Sequence, residues 1–190
     1  PYTTLFRSDA AFPDRTVDRL TGVGPSWNGA NETVGVVLVD GDRAFLKVAL
    51  ADESRRLRRE RAVLRYVRAH GPLSVPAVLA ADPDGDPSYL ATAPAPGRGL
   101  LGVYEGATDR ERERLLRRIG SALAALHADR FESHGEIVGA GTVTGTAVAG
   151  DTTAGDAGAP TGLSIESAPW SDVLLATIER TREIGTSERL

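Results

Sequence analysis

A valine-rich run and a second, largely apolar run meet at Asp40-Gly41. Residues 33–39 (TVGVVLV) and 43–50 (RAFLKVAL) read as strands, and the Asp-Gly step between them is a strong two-residue hairpin signal. Directly after, residues 53–70 (ESRRLRRERAVLRYVRAH) change to a helical period and stop at Gly71-Pro72. A strand ladder handing over to an amphipathic helix sets an α+β fold. Residues 16–23 supply a first strand, followed by a Gly/Pro/Asn-rich loop at 24–32. Two further short strands, 77–81 and 88–93, flank the acidic turn 82–86. That turn resembles the start of a calcium loop, but Gly85 falls at the wrong offset and no Glu follows at the required position, so it is read as a turn.

The second half is mainly helical. A Pro/Gly-rich connector at 94–100 is a lobe boundary. Thr108-Asp109-Arg110-Glu111 is a capping box opening a helix of about 20 residues. Leu116, Ile119, Leu123 and Leu126 form its expected buried stripe. Residues 139–162 carry seven Gly among 24 residues and read as a flexible insertion at the tip of a hairpin between 136–138 and 163–165. A last helix is expected from Pro169 to Ile184, with Trp170 as its anchor.

Composition removes several classes. No apolar run approaches the ~18 residues of a membrane span, and 41% hydrophobic against 25% charged residues argues against a wholly disordered chain. Without cysteine there are no disulfides, thiolate metal sites or cysteine nucleophiles. His70, His127 and His134 lie far apart without zinc-site spacing, so no metal site is expected. His70 and His127 each end a helix and read as packing or capping residues. The net charge of −4 gives no pull toward nucleic acid, and the arginine-rich helix 53–70 reads as a solvated face. The sequence has no secretory signal pattern, which places the expectation in the cytoplasm. The first eight residues (PYTTLFRS) read as a translated sequencing adapter, an artefactual tail that implies a fragment.

Two residues stand out. Of 22 basic residues, 21 are Arg and one is Lys: Lys47. It lies in a strand, with Phe45 and Ala49 on its face. Glu60 lies on the apolar stripe of the next helix, with Leu57, Leu64 and Val67. A carboxylate turned inward needs a cationic or hydrogen-bonding partner, and Lys47 can meet it across a sheet–helix interface.

Read in order, several segments resemble the aminoglycoside phosphotransferase/choline kinase family of the protein-kinase-like fold. They are Trp27 to Glu32, Phe45-Leu46-Lys47-Val48, Arg59 to Leu64, Val75 to Leu79, Tyr89 to Gly97, and Ile119 to His127. The resemblance implies an antiparallel-sheet N-lobe with one long helix over 9–93, which binds the nucleotide. An incomplete, mainly helical C-lobe with the hinge follows over 94–190. It implies an ATP-dependent phosphotransferase acting on a small-molecule hydroxyl, such as an aminoglycoside or amino alcohol, with no nucleic-acid or membrane partner. Lys47 would hold the α/β phosphates and Glu60 would orient it. Thr92 would back the adenine pocket. The C=O of Ala93 and N–H of Ala95 would hold the adenine edge, and the backbone of Gly29, Ala30 and Asn31 would cover the phosphates. The family's HGDxxxxN catalytic loop has no match. His134-Gly135-Glu136 has Glu for Asp, Gly141 stands where the Asn should be, and it reads as a turn entering a strand. The expectation is that this loop and the magnesium ligands lie beyond Leu190, so that these 190 residues alone hold no catalytic residue and do not transfer phosphate. The rival is a non-catalytic nucleotide-binding or interaction module, a degenerate kinase.

Overall fold

The structure is a computed structural model and describes residues 8–22, 31–50, 54–71, 73–132, 134–143, 145 and 161–185. Residues 1–7 of the eight read as an adapter, and most of the Gly-rich insertion, fall outside that set; the eighth, Ser8, is buried and opens a helical turn in which its carbonyl accepts the Phe12 N–H. Strands β1 (Val17–Gly22), β2 (Asn31–Leu38) and β3 (Arg43–Ala49) form a meander. Helix α1 (Ser54–His70) follows, then β4 (Val78–Asp82) and β5 (Tyr89–Thr92). The five strands make one antiparallel sheet in the order β1-β2-β3-β5-β4. Beyond the connector come α2 (Leu100–Glu105) and α3 (Asp109–His127). Strands β6 (Gly135–Gly141) and β7 (Gly162–Ser167) then pair as a separate antiparallel hairpin, before α4 (Trp170–Gly185).

The β2–β3 turn differs from the two-residue loop expected. The N–H of Gly41 donates to the Leu38 carbonyl and the N–H of Leu38 to the Asp42 carbonyl, both at 2.9 Å. Gly41 takes the left-handed value φ 91°. This is a three-residue turn-and-bulge loop. The Asp40 carboxylate favours it by accepting the Asp42 N–H at 3.1 Å. Arg15 grips the same loop, donating to Asp40 and, at 2.6 Å, to Asp42. Its hydrogen bond holds the Asp40 carboxyl below the usual carboxylate range.

Period-two alternation divides the sheet into two faces. On one, Val36, Leu38, Ala44, Leu46, Val48 and Ala91 pack with Ala11 and Phe12 from a short helical turn at 8–11 and the residue after it. On the other, Leu57 of α1 is fully buried against Ala49 and Leu90, with Leu64 partly buried beside it. Helix α1 has a second buried face that its sequence period did not announce. Ala62 and Tyr66 pack with Leu163 of β7, and Val63, Ile137, Ile165, Phe131 and Leu126 close around them. The helix is thus held between the sheet and the β6–β7 hairpin.

Two expectations are corrected in the helical half. The α3 stripe is not buried: Leu116 is 55% and Leu123 48% exposed, while Ile119 and Leu126 are half-buried. Only its C-terminal end, through Leu126, reaches a core cluster. Trp170 does not anchor α4 in a core; it is 62% exposed and meets the His134 ring edge to face. In both cases the apolar spacing is present, but no described element lies across from it.

Candidate active site

The β2–β3 register puts Thr33 opposite Lys47, and the β3–β5 register puts Leu90 on its other side. Lys47 is therefore on a central strand, facing α1, with its reach fixed by ladders on both edges. From α1, Glu60 meets it. Lys47 Nζ donates to both Glu60 carboxylate oxygens at 2.7 Å. The two side chains are 28% and 34% exposed, so the pair sits at the wall of an opening and not in a sealed core. Charge-assisted hydrogen bonds of this length are the stronger kind. Two ammonium N–H groups go to Glu60, which leaves one donor for an anion.

The opening is a cleft of about 330 Å³ between the sheet, α1 and the 93–95 connector. Lys47 and Glu60 form its charged end. Phe45 and Leu90 give apolar walls, and Thr92, Ala93 and Ala95 line the side where the chain leaves the sheet. Phe45 and Thr92 are direct cross-strand partners, which brings the two walls together. The N–H of Ala93 donates to the Ala77 carbonyl at 2.8 Å and so ties the connector to the segment entering β4.

Five of the eight residues expected from the sequence, Lys47, Glu60, Thr92, Ala93 and Ala95, therefore line one cleft. Gly29 and Ala30 lie outside the described residues. Asn31 opens β2 opposite Ala49, on the same face as Thr33 and Lys47. It is buried, does not line the cleft, and its Oδ1 has no hydrogen-bond partner among the described residues. Sequence reasoning missed Thr33, Leu90 and Pro76 as cleft residues. Thr33 was recoverable, because the hairpin register alone sets it opposite Lys47.

The shape suits a flat apolar ring against Phe45 and Leu90 with an anion at Lys47. The donor set does not suit a divalent cation. Glu60 is the only carboxylate lining the cleft, and Lys47 occupies both of its oxygens. No group of three His, Asp or Glu side chains with metal-site geometry occurs among the described residues. The described side chains therefore offer magnesium no site. Of His134-Gly135-Glu136, Gly135 and Glu136 open strand β6, and Glu136 receives Arg59 at 2.9 Å. No helix among the described residues is long and apolar enough to cross a membrane.

An antiparallel sheet whose central lysine is held by a glutamate from the following helix, above a cleft where the chain leaves the sheet, is compatible with the N-lobe of a protein-kinase-like fold. A family model described as the phosphotransferase enzyme family, APH, matches residues 23–135, more than half of the chain, and the protein belongs to this family. No individual curated protein and no solved structure matches it.

Proposed function

We propose that the cleft binds ATP and that the protein is a kinase transferring the γ-phosphoryl group to a hydroxyl of a small molecule, such as an aminoglycoside or amino alcohol. The observation that carries this reading is the bidentate Lys47–Glu60 pair at one end of a cleft whose other end is apolar. Adenine would lie between Phe45 and Leu90, with its edge at Ala93 and Ala95 and Thr92 behind it. Lys47 would place its remaining N–H on the α/β phosphates, and Glu60 would keep the ammonium from swinging away. The backbone near Gly29, Ala30 and Asn31 would cover the phosphates. ATP carries magnesium in this chemistry, and no residue of this cleft is assigned to it.

Residues 1–190 contain no HGDxxxxN run, so the direct test is binding and not turnover. Titration of the chain with a fluorescent ATP analogue, displaced by ATP, should show saturable binding. Lys47→Ala should weaken it about tenfold or more, or ~1.4 kcal/mol, with a melting curve to confirm that the variant is folded. Lys47→Arg should fail to restore it, because the longer, planar guanidinium pairs fork to fork with Glu60 and does not place a compact point charge where the ammonium stands. Equal affinity in wild type and Lys47→Ala would refute the assignment.

A further inference from the structure

We infer that the β6–β7 hairpin is a positioning clamp for Glu60: it bears on α1 from the face opposite the sheet and keeps the carboxylate within bidentate reach of Lys47. The inference rests on the role proposed for that pair and adds to it a control element from outside the nucleotide lobe.

Helical geometry sets up the arrangement. Leu57, Glu60 and Leu64 share one stripe of α1, whereas Arg55, Arg59, Ala62 and Tyr66 share a stripe roughly opposite. On the sheet side, Leu57 is the fully buried apolar anchor. On the far side Ala62 and Tyr66 are both buried, and they pack on hairpin residues Leu163, Ile137 and Ile165. Much of the apolar attachment of α1 is therefore to the hairpin.

Polar contacts set the register of that attachment. Arg59, next in sequence to Glu60, donates to Glu136 of β6 at 2.9 Å. Arg55, one turn earlier, donates to Glu166 of β7 at 3.3 Å. Glu136 and Glu166 are themselves paired across the hairpin, so each arginine takes a carboxylate from a different strand. Lower on the helix, the Tyr66 hydroxyl donates to Asp129, in the link after α3, and accepts the Gly145 N–H at 2.8 Å. Ion pairs this exposed are individually weak. Together with the apolar contacts they fix the helix in rotation and translation, and a rotation moves Glu60 directly. Arg59, Glu136 and Tyr66 are thus positioning residues that act through Glu60.

Lys47 is the only lysine in the chain, which gives a readout that needs no nucleotide. Limited acetylation of the full chain by a water-soluble acetylating reagent, followed by mass spectrometry, compares Lys47 with the terminal amine as internal standard. Glu60→Gln should raise the Lys47 rate and calibrate the loss of the pair. Glu136→Arg, which sets two cations against each other at the surface, should raise it at least about threefold, the lower range for coupled residues of one network. The swap Arg59→Glu with Glu136→Arg should return it toward wild type. Tyr66→Phe keeps the ring packing and should raise the rate in the same direction. Melting curves confirm that each variant is folded. Wild-type rates in Glu136→Arg and Tyr66→Phe, beside an elevated rate in Glu60→Gln, would overturn the clamp. If the variants behave as expected and the chain binds no ATP, the clamp stands and the nucleotide reading falls.

Discussion

Lys47 and Glu60 show how far single side chains could be read. An inward carboxylate on an apolar stripe is costly unless paired, and a chain that uses Arg for its other cationic side chains keeps one Lys 13 residues earlier. Pairing satisfies both, and the structure brings them to 2.7 Å. Burial of individual leucines was read less well, since spacing marks an apolar face without saying what covers it. Leu57 is fully buried, whereas Leu116 is 55% exposed, although both lie on regular helical stripes. Leu57→Ala is expected to cost about 2–5 kcal/mol, through lost transfer energy and the cavity left behind. Leu116→Ala should stay within about 0.5 kcal/mol, as surface changes do. Denaturant unfolding of the two variants checks this, and equal losses would contradict the burial pattern.

Among the elements, α1 is decisive because it is packed on two sides. Tyr66 sits on its outer face, and burial, reinforced by its bond to Asp129, pushes the phenol above the ordinary tyrosine value. Below that value the hydroxyl is protonated in folded and unfolded chains alike, and its contribution is fully present. Above about pH 10 the unfolded chain ionises first, so the contribution falls as pH rises toward the raised folded value. Denaturation midpoints measured between about pH 8 and 11 should therefore fall more steeply in wild type than in Tyr66→Phe. Parallel slopes would show that the hydroxyl is not tied into the hairpin attachment. At the start of α3, the Thr108 N–H and hydroxyl both donate to Glu111, at 2.8 and 2.6 Å, and hold its carboxyl below the usual range. That local cap was legible because it depends on four consecutive residues.

Taken together, the described residues form a well-packed sheet with α1 and the β6–β7 hairpin, from which α3 and α4 project with apolar residues uncovered. Leu116, Trp170, Leu175 and Ile178 are each more than half exposed. Local stability follows buried contact, so backbone amides of β2, β3 and β5 should exchange with deuterium most slowly. Those of α3 should exchange faster, even though it is the longest helix described. Equal protection of α3 and β3 by mass spectrometry would contradict this. From the order of residues alone came the strands, the three long helices, the Thr108 cap and the Lys47–Glu60 pairing, but not the short α2. Period, turn chemistry and charge cost act over a few residues, or across one helix–sheet step. Long-range packing settled the rest: that the hairpin assembled from residues around 135 and 165 lies against α1, that Tyr66 faces it, and that Leu116 and Leu123 of α3 stay open. Those outcomes depend on which surfaces meet across long separations in the chain, and a stripe of leucines has the same spacing whether or not a partner lies opposite it.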